Sequence, residues 1–501
     1  MSKNRRIILY LALAATFVFW GFYFGLSAPF RIMPMISPLP FLVLLVVWTL
    51  PAGEYAPTRA IEPLYIAFFA ALVLWPNYIA VVLPNMPWLT LLRIFVVPLI
   101  LVVLISISVS ARFRAKLGET IGSAPVIWRM LAAFVALQTF SLLLSDRPVL
   151  SLNDYLVDQL NHTFIFLVSC YVFLIPGFSE RWAKAYLFMV YVVCGVGLWE
   201  AAIGGLPWAG HIPPFLRVET ELVANIIDGA SRSSVAVHRV QGMSVQPLAM
   251  AELLGLAAPF ALHIAINRYA LPLRILAAGY LPLALYLIEL ADSRLGNVAL
   301  MSAVLFYILI WASLRWRRDR QSLLAPTLVL LYPAIMAVAL VATFLVRPLR
   351  VAVWGGGAQQ GSTDARVAQW NMGVPKVIDH PLGHGIGQAA KKLGYMNPAG
   401  KGTIDSHFLT TLMDFGPLGF VLFYGLFAYG AWMAARIVIY FRPKGGDIMM
   451  LLPLMVAMLQ FLIIKSVLSL DHNHPLVFMM LGGIVALAYR AKLEAANSPP
   501  G

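Results

Sequence analysis

Long runs of apolar residues recur along the chain, and they limit its possible folds more than any other feature. A helix needs about 20 apolar residues to cross the hydrocarbon core of a bilayer. Of the 501 residues, 61% are hydrophobic and 12% are charged, whereas about a quarter of the residues in a soluble domain are charged. A water-soluble fold cannot bury this much apolar surface, so the sequence predicts an all-α polytopic membrane protein.

The positions of the apolar runs predict about fourteen membrane spans. The first run follows Lys3, Arg5 and Arg6 and is longer than the apolar core of a signal peptide, so we interpret it as a span. The predicted spans are 7–27, 33–52, 61–83, 88–109, 124–145, 161–177, 183–203, 247–267, 271–290, 296–314, 325–347, 407–434, 448–469 and 474–490.

The basic residues predict an orientation with both termini in the cytoplasm. Cytoplasmic loops of membrane proteins collect Lys and Arg, and this orientation puts every strong basic cluster on the cytoplasmic side. The clusters lie at residues 112–116, 181–184, 268–274, 315–320, 436–444 and 490–492. These loops account for the net charge of +14, so no nucleic-acid partner is expected.

Two long segments then lie outside, the larger one between the eleventh and twelfth spans. Loops of this length in a compact protein are usually functional. The predicted organisation is N-terminal spans in 1–203, an outer loop with an interfacial helix in 204–246, central spans in 247–347, a large outer loop in 348–406, C-terminal spans in 407–490 and a cytoplasmic tail in 491–501.

Several arginines in or beside the outer loops are not explained by the orientation rule. Arg239 precedes a span, Arg294 interrupts two apolar runs, and Arg366 lies four residues before Trp370 on a predicted short helix, which puts both on one face. Arg suits phosphate because its planar fork donates two parallel hydrogen bonds. The alternative is that these arginines are solvated or pair with acidic neighbours, as Arg294 would with Asp292 or Glu289.

The motifs of the common metal and nucleotide enzymes are absent from the sequence. No Gly-Lys-Ser/Thr phosphate loop, Asp-x-Asp pair, His-Glu-x-x-His zinc helix or Gly-x-Ser-x-Gly elbow is present. Cys170 and Cys194 lie inside apolar runs and indicate neither a disulfide nor a metal site. We therefore expect no cofactor and no metal, and an enzyme of this kind would act on a phosphate leaving group through arginine.

A set of motifs between residues 235 and 420 resembles the O-antigen ligase and O-antigen polymerase superfamily. The set comprises Arg239-Val-Gln-Gly242, Ser293-Arg294, Arg366-x-x-x-Trp370, Asp379-His-Pro-Leu-Gly-His384-Gly-Ile-Gly387, Asp405-Ser-His407-Phe-Leu409 and Asp414-Phe-Gly-Pro-Leu-Gly419. The family often has His-Asn where this sequence has Asp405-Ser406, and His407 stands two places later. Asp405 and Ser406 also predict an N-cap for the following span.

The resemblance implies a GT-C-like helical bundle that transfers glycans on the periplasmic face of a bacterial inner membrane. The implied donor is an oligosaccharide on a polyprenyl diphosphate such as undecaprenyl diphosphate. Arg239, Arg294 and Arg366 would bind the diphosphate, and either His407 or Asp405 would orient or deprotonate the acceptor hydroxyl. Trp370 and His384 are candidates for contact with a sugar, with packing against the bundle as the alternative for Trp370.

The sequence favours a polymerase of repeat units for O-antigen, capsule or exopolysaccharide, because the chain has extra N-terminal spans and an altered histidine position. The alternatives are an O-antigen ligase that transfers glycan to lipid A core, a transporter or flippase of lipid-linked oligosaccharide, and a non-catalytic scaffold. A transporter would show symmetry between its halves, which this sequence lacks. Partners such as a chain-length regulator or export machinery stay open.

Overall fold

The computed structural model describes residues 39–51, 53, 56–82, 88–228, 230–231, 238–318, 321, 323–347, 350, 360–397, 400, 402–440 and 446–496. The first predicted span, 7–27, and the start of the second lie outside these residues. The described part of the chain is almost entirely helical, as the sequence predicts.

The helices are numbered here along the chain. They are α1 (Leu39–Thr49), α2 (Ile61–Leu74), α3 (Leu91–Val109), α4 (Ala111–Gly122), α5 (Pro125–Ser141), α6 (Pro148–Asp158), α7 (Ile165–Val172), α8 (Phe178–Ile203), α9 (Glu221–Ile227), α10 (Pro247–Ile266), α11 (Leu271–Leu290), α12 (Arg294–Arg318), α13 (Leu324–Leu345), α14 (Gln360–Asp379), α15 (Ala389–Leu393), α16 (His407–Tyr440), α17 (Leu451–Lys465) and α18 (His474–Ala496). Two short antiparallel ribbons join β1 (Ala80–Val81) to β2 (Leu89–Thr90), and β3 (Ala230–Ser231) to β4 (His238–Arg239).

Ten helices in the described part of the chain are long and apolar enough to cross a membrane, so the chain is a multi-pass membrane protein. They coincide with ten of the predicted spans. The predicted span 61–83 contains α2, which has 14 residues because it ends before Pro76. The predicted span 161–177 corresponds to a π-helical segment, Gln159–Phe164, followed by the eight-residue α7. The count of fourteen stays a prediction.

The described chain forms two compact units. The first comprises the described residues within 1–119 and 206–228, and the second comprises those within 120–205 and 229–501. In the first unit, the Ser108 hydroxyl donates to the Val47 carbonyl oxygen at 2.6 Å, and Trp208 Nε1 donates to the Tyr78 hydroxyl at 3.2 Å. Within the second unit, α10 is the most buried of the candidate spans, because 89% of an apolar 18-residue stretch of this helix lies inside the protein.

A buried ion pair joins α10 to α17 in the second unit. Lys465 Nζ lies 2.9 Å from Glu252 Oε1, and both side chains are fully buried. Asn473 donates to the other oxygen of Glu252 at 2.9 Å and to the Ala249 carbonyl oxygen at 3.0 Å. Lys465 also donates to the Leu470 carbonyl oxygen. Glu252 therefore holds both ends of the loop 466–473, which connects α17 to α18.

Helix α16 is kinked at Gly416, where φ is 68° and ψ is −175°. A side chain at Gly416 would overlap the carbonyl oxygen of Pro381, so the two segments approach as only a glycine allows. Across the kink, His384 N donates to the Met413 carbonyl oxygen at 2.8 Å and Gly385 N donates to that of Asp414 at 3.0 Å. The motifs at 379–387 and 414–419 therefore pack against each other.

The carboxylate of Asp414 secures the same contact. It accepts hydrogen bonds from the backbone N–H groups of Gly387 at 3.2 Å, Gln388 at 3.0 Å and Ala389 at 2.7 Å. Gln388 and Ala389 stand at the start of α15, so Asp414 caps this short helix from a distant one. The loop before α15 is also held by Ser151, whose hydroxyl donates to the Ile386 carbonyl oxygen at 2.7 Å.

Replacing Gly416 with alanine tests the importance of this kink. We expect Gly416→Ala to destabilise the protein by at least about 2 kcal/mol, because it adds a steric overlap at a positive φ. Thermal unfolding of the purified protein in detergent, followed by circular dichroism, measures the effect.

Gly195→Ala is the matched control, since Gly195 lies inside α8 and no atom lies within 4 Å of the added carbon. We expect it to be neutral or slightly stabilising. Equal losses in both variants would contradict a specific role for the kink.

Candidate functional site

The structure brings Arg239, Arg294, Arg366 and Asp405 to the wall of one cavity of about 810 Å³ in the second unit. Arg239 comes from β4, Arg294 is the first residue of α12, Arg366 lies on α14, and Asp405 precedes α16. We call this space the arginine cavity. Four of the residues that the sequence predicts for the site therefore share one space, although they are separated by up to 166 positions in the chain.

Arg239 is attached to the turn between α11 and α12. Its Nε donates to the Ala291 carbonyl oxygen at 2.9 Å, and its Nη2 donates to that of Asp292 at 3.2 Å. The neighbouring Val240 N donates to the Leu290 carbonyl oxygen at 3.2 Å. Because Arg294 follows directly after this turn, these bonds hold the two arginines on the same wall.

The sequence interpretation missed Glu200, which organises the segment carrying Arg239. Glu200 is fully buried in α8 and accepts hydrogen bonds from His238 Nε2 at 2.7 Å, Gln241 N at 3.1 Å and Gly242 N at 2.6 Å. A carboxylate inside a predicted span is costly unless it is fully bonded. The sequence signal that could have indicated this role is the presence of an acidic residue near the end of the apolar run 183–203.

Arg366 offers an unused hydrogen-bond donor at the arginine cavity. Its Nε is buried and has no hydrogen-bond partner among the described residues, and the same is true of Gln369 Nε2 one turn away. Buried polar groups are normally bonded, and an exception calls for an explanation. Two unpartnered donors on the wall of a cavity that also holds Arg239 and Arg294 suit an anionic ligand with several acceptor oxygens.

Asp405 is positioned by α14. Its backbone N–H donates to Gln369 Oε1 at 2.8 Å. Burial raises the pKa of Asp405 above the ordinary value of an aspartate, and the positive charge of Arg366 opposes this shift. A carboxylate with a raised pKa is a better proton acceptor than a fully solvated one.

His407 lies on a different cavity from Asp405. Both hydrogen bonds of its side chain recorded in the described part of the chain use Nδ1, which lies 2.5 Å from the Tyr424 hydroxyl and 3.1 Å from that of Thr411. Its cavity has a volume of about 190 Å³. Ser406 occupies the predicted N-cap position of α16, but its hydroxyl donates to the Ser466 carbonyl oxygen at 2.7 Å.

A third cavity of about 460 Å³ shares lining residues with both of the others. Arg366 and Asp405 line it together with the arginine cavity, whereas Thr410 and Ser469 line it together with the cavity of His407. The structure thus separates the two candidate bases and places Asp405 with the arginines.

The two residues predicted to contact a sugar lie outside these three cavities. Trp370 packs against a hydrophobic cluster that includes Val377, Leu393 and Leu409, which agrees with the alternative of simple packing. His384 lies in the loop held by the kink of α16, with its ring 4.6 Å from that of His380. Burial lowers the pKa of His384, and the positive charges nearby add to this effect.

Comparison with known families supports the resemblance in the sequence. Residues 279–424 match the family model described as O-antigen ligase. The matched range contains Arg294, Arg366, Asp405 and His407, whereas Arg239 precedes it. A search of curated proteins finds no significant match. Over residues 279–424 this membrane protein is therefore similar to the O-antigen ligase family, in agreement with the resemblance in its sequence.

Proposed function

We propose that this protein is a metal-independent glycosyltransferase of the bacterial inner membrane that polymerises oligosaccharide repeat units carried on polyprenyl diphosphate. The observation that carries the proposal is the arginine cavity, where Arg239, Arg294, Arg366 and Asp405 meet. The family match supports an activity of the ligase or polymerase type. The active site would face the periplasm, on the side to which the sequence assigns the loop 348–406.

The proposed reaction breaks the bond between the anomeric carbon of the donor glycan and the diphosphate oxygen. That oxygen takes the bonding electron pair, and the departing diphosphate gains negative charge as the bond lengthens. Arg239, Arg294 and Arg366 line the same cavity and would donate hydrogen bonds to this charge. Groups that are positioned in advance for a developing charge stabilise a transition state more than they stabilise the substrate. The unpartnered Nε of Arg366 is suited to bind the leaving group.

Asp405 would accept the proton of the attacking sugar. An acceptor hydroxyl oxygen attacks the anomeric carbon, its proton passes to the carboxylate of Asp405, and a new glycosidic bond forms. We prefer Asp405 to His407 as the base because Asp405 lines the same cavity as the arginines, whereas His407 lines the smaller one.

A ligase is the second candidate, and the description of the matched family favours it. Purified protein is incubated with radiolabelled polyprenyl-diphosphate-linked repeat units, with and without lipid A core. A polymerase extends the lipid-linked glycan without lipid A core, and a ligase forms product only when lipid A core is present. Donor that is bound but never transferred would contradict both candidates and favour a transporter or scaffold.

Arginine substitutions test the binding of the diphosphate. We expect Arg366→Ala to lower kcat at least about 100-fold while donor binding persists, because removing one donor to a developing anion typically has this effect. Arg366→Lys keeps the charge but loses the planar fork, so a smaller loss is expected. Transfer rates with the same labelled donor measure both effects.

Arg217→Ala is the control for these variants, because Arg217 is exposed and lines none of the three cavities. We expect it to keep normal activity. A similar loss in Arg217→Ala and Arg366→Ala would show that general loss of positive charge is responsible, and would contradict a diphosphate site at Arg366.

The pH dependence of transfer tests the role of Asp405. A base must be ionised, so activity should fall as the pH drops through the pKa of Asp405, which burial places above the ordinary aspartate value. We expect Asp405→Asn to lower kcat about 100-fold or more, and Asp405→Glu to retain part of the activity. Rate profiles between mildly acidic and neutral pH provide the measurement.

His407→Gln distinguishes the two candidate bases. With Asp405 as the base, His407→Gln keeps the acidic limb of the pH profile and a substantial rate. The assignment of Asp405 is wrong if His407→Gln abolishes transfer and Asp405→Asn leaves the rate and the profile unchanged.

A further inference from the structure

The cavity of His407 has a chemical character opposite to that of the arginine cavity. Its wall carries four carboxylates and three imidazoles, and none of the described residues that line it is a lysine or an arginine. We call it the acidic cavity. The acidic residues are Asp154, Asp158, Asp414 and Asp471, and the histidines are His162, His407 and His474.

Two histidine nitrogens on this wall are buried and have no hydrogen-bond partner in the described part of the chain. They are Nε2 of His474, a residue that is 1% exposed, and Nδ1 of His162, a residue that is 7% exposed. An unpartnered buried polar atom costs about 1–3 kcal/mol, so a ligand that bonds to these atoms gains affinity. His162 also lies in a π-helical segment, a feature that is frequent at functional sites.

Part of the remaining wall is aromatic. Phe134, Phe415 and Phe423 line the cavity beside the polar groups. An apolar wall with a few convergent polar groups is typical of a small-molecule site. Aromatic faces suit the C–H face of a sugar ring, and carboxylate oxygens accept hydrogen bonds from its hydroxyl groups. The volume of about 190 Å³ suits one ring rather than an oligosaccharide.

The residues on this wall disfavour anionic sugars as ligands. Burial raises the pKa of Asp158, and the negative charges of Asp471, Asp154 and Asp414 add to this effect. None of the described residues on this wall is a lysine or an arginine that could pair with an anion. A sugar carboxylate or a phosphate would therefore lose its hydration in this cavity without gaining a positively charged partner on the wall. In the part of the chain that the structure describes, no three His, Cys, Asp or Glu side chains are arranged to hold a metal ion.

We propose that the acidic cavity binds a single uncharged sugar ring of the acceptor glycan and rejects sugar acids at this position. The assignment to the acceptor rests on the proposed function, in which the donor diphosphate occupies the arginine cavity. The third cavity, lined by Asp405, Thr410 and Ser469, provides space for the glycan between the bound ring and the reacting hydroxyl. The acidic cavity is thus a specificity-determining subsite.

Binding of free sugars to the purified full-length protein tests this subsite. Saturation-transfer NMR in detergent compares glucose and N-acetylglucosamine with glucuronate, which has the glucose ring with an added negative charge. We expect the neutral sugars to bind at least several-fold more strongly than glucuronate. Equal saturation by glucose and glucuronate would overturn the proposal.

Asp471→Asn tests the wall of the cavity without disturbing the core, because Asp471 is exposed. We expect it to weaken glucose binding about tenfold and to reduce the discrimination against glucuronate. Asp146→Asn is the control, since Asp146 pairs with Lys392 at 2.9 Å and does not line the cavity. Identical sugar binding by the two variants would overturn the proposal.

The subsite and the proposed function fail in different ways. A protein that prefers glucose but transfers no glycan would support the subsite and contradict the glycosyltransferase. A protein that extends lipid-linked glycans but binds glucose no better than glucuronate would contradict the subsite alone. Arg366→Ala should lose transfer and keep its preference for glucose, because Arg366 does not line the acidic cavity.

Discussion

The buried ion pair between Glu252 and Lys465 is the interaction on which the site most depends. Together with Asn473 it fixes both ends of the loop 466–473, and residues of this loop line all three cavities. Taking two charges out of water is expensive, and removing one partner of such a pair typically costs about 3–5 kcal/mol. Because the loss of either partner would leave a buried charge unpaired, the ion pair holds the loop firmly in place.

Buried carboxylates also fix polar segments at two other places in the second unit. Glu200 on α8 accepts hydrogen bonds from the segment of Arg239, and Asp414 on α16 accepts them from the loop before α15. Each carboxylate lies in an apolar helix and bonds to a distant polar segment. A low-dielectric surrounding strengthens such hydrogen bonds and makes their loss costly. Glu252, Glu200 and Asp414 therefore fix the positions of the loops to which they bond.

The two ends of the site then differ in charge. In the proposed reaction, the arginine cavity would bind the diphosphate of the donor, and the acidic cavity would bind an uncharged ring of the acceptor. Such a separation would keep a lipid diphosphate out of the acceptor position, because the described residues that line the acidic cavity include no lysine or arginine to pair with it. In this proposal the specificity for two glycan substrates follows from the electrostatics of two adjoining spaces.

The sequence by itself determined the membrane class, the positions of ten spans and the arginines to examine, because hydrophobicity and motif spacing are local properties of the chain. Helix α14 and the start of α16 were also predicted near their observed positions. Only the tertiary structure decided that Arg239, Arg294, Arg366 and Asp405 share one cavity and that His407 lies on another. Glu200 and the acidic cavity were not predicted, because they depend on contacts between helices far apart in sequence, and hydropathy contains no information on which helices pack together.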